Sequence, residues 1–169
     1  MQLTVGVEAS DLFSKVQVDY LQRFKVSKNH TFAFRVFGGV FLHNQQPNND
    51  NFYSFGLSGT RDYMFDYYFV GRSDETGVWS QQMYETDGGF KSQTNTFENK
   101  SMLAFNAKVP IWRYFKLFGD IGWTSHEFAW DYGASIVIVP DFLEIHFPFQ
   151  SNQTNFLQSG NYAQNIRYV

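Results

Sequence analysis

Cysteine is absent from this chain, which excludes disulfide staples, thiolate metal sites and a cysteine nucleophile. Long apolar runs are absent as well. The longest uninterrupted aliphatic run is Ile136 to Val139, far short of the roughly 20 residues that a membrane helix needs. Helical spanning is thereby excluded, while strands of about ten residues could still cross a bilayer. Charge is sparse: Asp, Glu, Lys and Arg make up 17% of the sequence, below the usual quarter. No basic run offers phosphate neutralisation, so nucleic acid is not an expected partner. The first residues, Met-Gln-Leu-Thr-Val-Gly-Val-Glu, lack the cationic start, apolar core and cleavage site of an export signal.

Aromatic residues are in excess, at 20% of the chain with 20 Phe, 10 Tyr and 4 Trp. Together with the low charge, this suits a lipid-facing band flanked by aromatic girdles.

The organising stretch runs from Phe115 to Phe149. A strand shows alternate side chains to opposite faces, so each segment can be sorted by parity. One parity collects Phe115, Leu117, Gly119, Ile121 and Trp123, then Phe128, Trp130, Tyr132, Ala134, Ile136 and Ile138, then Leu143, Ile145, Phe147 and Phe149. It carries no charge. The other collects Lys116, Phe118, Asp120 and Gly122, then Ala129, Asp131, Gly133, Ser135 and Val137, then Glu144, His146 and Pro148. Three antiparallel strands with one greasy and one polar face fit the alternation of a transmembrane β-barrel. A soluble sandwich or lipocalin-like barrel also alternates. The polar parity here is small residues and isolated charges, as suits a confined interior.

The rest of the chain extends the pattern. Strands are expected at Leu3 to Val7, Val16 to Ser27 and Thr31 to His43, then around Tyr53, Phe55 and Leu57, over Asp62 to Val70, and at Leu103 to Val109. After Phe149, a polar loop from Gln150 to Gly160 leads to a last strand from Tyr162 to Val169. Lys28-Asn29-His30, Gly59-Thr60-Arg61, Pro110 to Tyr114 and Pro140-Asp141 read as short turns. Ala9 to Ser14, Asn44 to Phe52 and Gln150 to Gly160 are longer, and Gly71 to Lys100 is too long for a simple connection. Short and long connections alternate, as in membrane barrels with short periplasmic turns and longer outer loops; only Thr124 to His126 is shorter than expected. The expected fold is all-β, an antiparallel up-and-down transmembrane β-barrel or the C-terminal part of one. It has about ten strands in a single unit over residues 1–169, with one long loop at 71–100. The missing export signal and a last strand ending in mid-pattern suggest a piece of a longer protein.

Inward parity places Arg35, Lys116, Asp120, Asp131, Glu144 and Arg167 in one interior, where isolated charges need partners. They are expected to form an ion-pair network that stiffens the wall; a polar pathway for a solute is the alternative. Glu144 and His146 share a face two residues apart and could pair an acid with a base, although no nucleophilic Ser motif accompanies them. Trp112, Tyr114, Trp123 and Trp130 fall near strand ends, where a membrane interface accounts for them and carbohydrate stacking is the alternative. Asp74, Glu75, Glu85 and Asp87 in the long loop lack the spacing of a recognised calcium loop.

Several ordered motifs carry a resemblance: Gly59-Thr-Arg-Asp-Tyr63, Val70-Gly-Arg-Ser73, Gln81-Gln82, Asp87-Gly-Gly-Phe-Lys91, Phe118-Gly-Asp-Ile-Gly122, Tyr132-Gly133, Val139-Pro-Asp-Phe-Leu-Glu-Ile-His-Phe-Pro148 and Ile166-Arg167. Covering about two thirds of the chain, they resemble the C-terminal outer-membrane region of large flavobacterial (Bacteroidetes-type) proteins in which a gluzincin aminopeptidase domain comes first. More distantly, their order is similar to the last strands of assembly-factor and surface-antigen barrels. Arg61-Asp62-Tyr63 departs from the Arg-Gly-aromatic loop motif of those barrels, which weighs against an insertase role. The resemblance implies an outer-membrane location and a role as anchor or pore wall of a larger surface protein. Its partners would be the bilayer, the remainder of that chain and the barrel-assembly machinery. A zinc peptidase needs His-Glu-x-x-His on a helix, and the four histidines, His30, His43, His126 and His146, are not so spaced. Catalysis, a metal and other cofactors are therefore not expected on these residues. A solute channel, an assembly-factor barrel and a soluble ligand-binding β-domain are the alternatives.

Overall fold

The computed structural model describes residues 1–27, 30–45, 54–56, 89–92, 97–140, 142–152, 154–158 and 160–169. Eight strands form one antiparallel up-and-down sheet: β1 (Gln2–Ala9), β2 (Phe13–Ser27), β3 (His30–Asn44), β6 (Ser101–Trp112), β7 (Phe115–Thr124), β8 (Phe128–Val139), β9 (Leu143–Ser151) and β10 (Arg167–Tyr168), in that spatial order. Two short strands, β4 (Phe55–Gly56) and β5 (Phe97–Glu98), pair with each other in a separate ribbon. Among the described residues the large sheet is open, with β1 and β10 as its edges.

This differs from ten consecutive neighbours in one wall. β3 hydrogen-bonds directly to β6, Arg35 facing Asn106, and the segment around Phe55 leaves the wall to pair with β5. Local alternation specifies a strand but not its neighbour. The last strand is shorter than Tyr162 to Val169. A 3-10 turn takes Tyr162–Asn165, and pairing begins at Arg167, with Arg167 and Tyr168 against His146 and Ile145 and Val169 exchanging backbone hydrogen bonds with Glu144. Within 71–100, the pair Phe97–Glu98 is strand. The Lys28-Asn29 turn, the Gly59-Thr60-Arg61 turn, the Asp62 to Val70 strand and the acidic residues Asp74, Glu75, Glu85 and Asp87 lie outside the described residues, as do Tyr53, Leu57 and Asp141.

Proline explains two local irregularities. It cannot donate to a sheet ladder, so within strands it settles at bulges and edges. Pro110 pairs with Lys116 where the register slips before Trp112, and β6 continues through it to leave a turn of only Arg113-Tyr114. Pro148 faces Gly133 at the slip between Tyr132 and Gly133. Only glycine fits there: a Cβ on Gly133 would lie 2.7 Å from the Phe118 ring and 2.8 Å from Pro148 Cα, and closer still to the Phe147 carbonyl oxygen. Two further turns are closed by hydroxyls. The Ser10 oxygen accepts from the Leu12 and Phe13 amides, and the Thr124 oxygen from the His126 and Glu127 amides.

The usual arrangement of a water-soluble domain is reversed across β6–β8, and β9 shares their buried polar face. Apolar Leu103, Phe105, Val109, Phe115, Leu117, Trp123, Phe128 and Tyr132 are exposed, while Asn106, Lys108, Asp120, Asp131, Ser135, Glu144 and His146 are buried. Small residues alternate with them on the buried face. At Ala104 and Ala129, the lack of bulk leaves room for a compact apolar cluster of Phe55, Phe90 and Met102, flanked by Phe37 and Phe41. The two aromatic rings bracketing β7, Phe115 and Trp123, are eight residues apart, about 27 Å along a strand.

Candidate functional site: two polar rows on the buried face

Register places the buried polar residues in two rows that cross the strands. The first runs Arg35 (β3), Asn106 (β6), Asp120 (β7) and Asp131 (β8), each facing the next as a direct cross-strand partner. Arg35 Nε donates to both carboxylate oxygens of Asp19 on β2 at 2.8 and 2.9 Å, and its Nη1 to Asn106 Oδ1 at 3.2 Å. Asn106 Nδ2 passes the polarity on to Asp120 Oδ1 at 2.8 Å. An arginine fork and an amide that both accepts and donates are the residue types that can continue such a chain.

Beyond the one donor that Asn106 gives Asp120, the two carboxylates take their donors from residues 89–92. Lys91 Nζ lies 3.0 Å from Asp120 Oδ1, and both side chains are fully buried. The Lys91 amide donates to Asp120 Oδ2 at 3.3 Å, and its ammonium also reaches the Gly89 carbonyl at 2.8 Å. The next residue binds the next strand: the Ser92 amide donates to Asp131 Oδ2 at 2.8 Å, joined by the Ser92 hydroxyl. Among the described residues, Asp131 Oδ1 has no hydrogen-bond partner. Gly89 turns with φ of 70°, a conformation that favours glycine.

The second row runs Lys116 (β7), Ser135 (β8), His146 (β9) and Arg167 (β10). It lies four residues along β7 from the first, about 13 Å. Glu144 sits beside it and binds Lys108 Nζ at 2.9 Å and Lys116 Nζ at 3.2 Å through separate oxygens. The Ser135 hydroxyl and His146 Nδ1 are 2.7 Å apart, and Glu144 Oε1 is 3.8 Å from the same nitrogen. A nucleophile relay needs acid and hydroxyl on opposite ring nitrogens. Here both approach Nδ1, while Nε2 has no partner among the described residues, so Ser135, His146 and Glu144 do not form a relay. Arg167 Nη1 donates to the Gln164 and Ile166 carbonyls.

The six charges expected on inward parity thus divide. Arg35, Asp120 and Asp131 fall in the first row; Lys116, Glu144 and Arg167 fall in or beside the second. Sequence reasoning did not single out Asp19, Asn106 or Lys108, which the same parity rule offers. It also missed Lys91 and Ser92, whose only pointer was two acids on adjacent strands with no cation opposite. Among the described residues, no group of three or more His, Asp or Glu could hold a metal ion.

The four aromatics expected near strand ends are exposed or half-buried. Trp112 is 71% exposed beside Phe115, and Tyr114 lies beneath the Arg113 guanidinium at the same turn. Trp123 packs on Phe128 at the opposite end of β7. Trp130, two residues from the start of β8, is half-buried, stacks on Tyr132 and faces Ile121.

A clamp joins β5 to the β7–β8 turn. Glu98 Oε2 accepts the Ser125 amide at 2.7 Å and hydroxyl at 2.6 Å, and Oε1 accepts the Lys100 amide at 2.7 Å. Burial raises the Glu98 carboxyl's pKa, but the Ser125 hydroxyl, the two amides and the nearby His126 outweigh it. Glu98 therefore titrates below the usual glutamate range. No family model, curated protein or solved structure matches this chain.

Proposed function

We propose that residues 1–169 form part of the wall of an outer-membrane β-barrel that anchors a larger surface protein. The observation that carries this is the reversal of polarity: charged and amide side chains are buried across β6–β9, while aromatic and aliphatic side chains are exposed across β6, β7 and β8 and half-buried on β9. In water, so continuous an apolar surface would drive aggregation, whereas a bilayer requires it. From Phe115 to Trp123, a strand tilted by about 40° rises about 20 Å, close to the apolar band of such barrels. Closure of the barrel would join further strands to the edges at β1 and β10.

An anchor is favoured over an open solute channel because Lys91 and Ser92 occupy the two carboxylates of the first row. No catalysis is assigned to these residues. By the resemblance noted above, the parent protein's aminopeptidase chemistry belongs to the remainder of a longer chain, and assembly machinery would insert the barrel.

Leu117→Arg tests the reading. Leu117 is 43% exposed on the apolar face. In lipid vesicles the arginine should cost about 2 kcal/mol or more, against about 0.5 kcal/mol or less for an ordinary water-facing position. An unchanged denaturant midpoint would overturn the lipid-facing assignment.

A further inference from the structure

We propose that Gly89–Ser92 is an internal plug, latched to the wall through Asp120 and Asp131, which closes the barrel interior to ions. This rests on the barrel reading above. Three consecutive side chains of the segment engage three different features of the wall. Phe90, 2% exposed, enters the apolar cluster with Met102, Ala104 and Ala129. Lys91 pairs with Asp120 on β7, and Ser92 binds Asp131 on β8 through amide and hydroxyl. On the near side, Asn106 of β6 donates to the Gly89 carbonyl at 3.3 Å. Four residues therefore bridge three adjacent strands along the row that Arg35 continues to β3.

The chemistry of the latch argues for exclusion of water. A lysine and an aspartate that are both fully inaccessible to solvent hold together only where each charge is neutralised by the other and by further hydrogen bonds. Asp120 meets that condition with three donors: the Lys91 ammonium, the Lys91 amide and Asn106. A barrel with a free interior would instead hydrate these charges, as the polar walls of open porin-type channels are hydrated. Removing either charge leaves its partner buried and uncompensated, so the segment should leave the wall.

The test uses the whole protein to which residues 1–169 belong, with any cysteine outside these residues replaced, since none lies within them. Ser92→Cys introduces a sole, nearly isosteric thiol at a position 4% exposed. Its reaction with a charged, water-soluble maleimide should be slow, and should speed up by about tenfold or more when Asp120→Asn or Lys91→Met is added, because labelling follows the population of the opened state. Lys116→Met, which breaks the separate pair with Glu144, should leave the rate unchanged. In planar phosphatidylcholine bilayers the unaltered chain should be silent and Asp120→Asn should give discrete current steps. Equal labelling rates, or an equal rise with Lys116→Met, would overturn the latch. Faster labelling without current, or steady current from the unaltered chain, would overturn the closure. Failure of all forms to float with phosphatidylcholine vesicles would instead overturn the barrel reading on which the closure depends.

Discussion

Asp120 and Asp131 face each other as cross-strand partners on β7 and β8, both buried, and they bind consecutive residues, Lys91 and Ser92. Like charges placed directly opposite oppose strand pairing, so the two carboxylates are not equivalent. Asp120 is neutralised by an ammonium; among the described residues, Asp131 accepts through Oδ2 and leaves Oδ1 unpartnered. Asparagine at 131 keeps an oxygen for both Ser92 donors and removes a charge. Asp131→Asn should therefore be neutral or stabilising, whereas Asp120→Asn, which strands Lys91, should cost about 3 kcal/mol or more. Denaturant midpoints of the two variants check the asymmetry; equal losses would contradict it.

Gly133 predicts a steric effect with an internal control. Its missing Cβ makes room for Phe118 on β7 and for Pro148 and the Phe147 carbonyl across the bulge between β8 and β9. Gly133→Ala should cost about 1–3 kcal/mol, as overpacking does. Gly38→Ala, where a Cβ would meet only Leu103 Cδ1 at 3.8 Å, should be well tolerated.

The Glu98 clamp predicts acid sensitivity of one end of the fold. Glu98 titrates below the usual glutamate range because the Ser125 hydroxyl and the Ser125 and Lys100 amides outweigh the opposing effect of burial. Stability from such a group is fully present above the unfolded-state value of about 4.3 and is lost as pH falls through the lower folded-state value. Hydrogen exchange at the Ser125 and Lys100 amides, corrected for intrinsic rates, should lose protection over that window. In Glu98→Gln the same amides should be less protected at neutral pH and show no acid step.

How much of this was legible in the sequence depends on distance along the chain. The two faces of β7, β8 and β9 follow from alternation alone, because burial repeats with the pleat from Phe115 to Phe149. The extent of β6 did not: Pro110 reads as a breaker, yet it sits at a bulge and the strand runs on to Trp112. The segment at Phe55 has the composition of a strand, but nothing local says that it pairs with Phe97–Glu98 instead of joining the wall. Over Tyr162–Val169, the few alternating residues were too short a sample to distinguish a 3-10 turn from a strand. Within the polar face, Asp120 and Asp131 were visible by parity. Their partners were not, because Lys91 and Ser92 lie 29 and 39 residues away along the chain.

The central claim is that the exposed apolar face meets lipid, and depth-dependent fluorescence quenching tests it most directly. Two single-tryptophan forms in vesicles suffice: one keeps Trp123 alone, the other carries Leu117→Trp with the native tryptophans replaced by Phe. With brominated lipids, Trp123 should be quenched most by bromines near the headgroup and the residue at 117 by bromines deeper in the acyl chains, as the aromatic belt and apolar band require. Quenching of both by aqueous iodide, with no response to lipid bromine at any depth, would contradict the account.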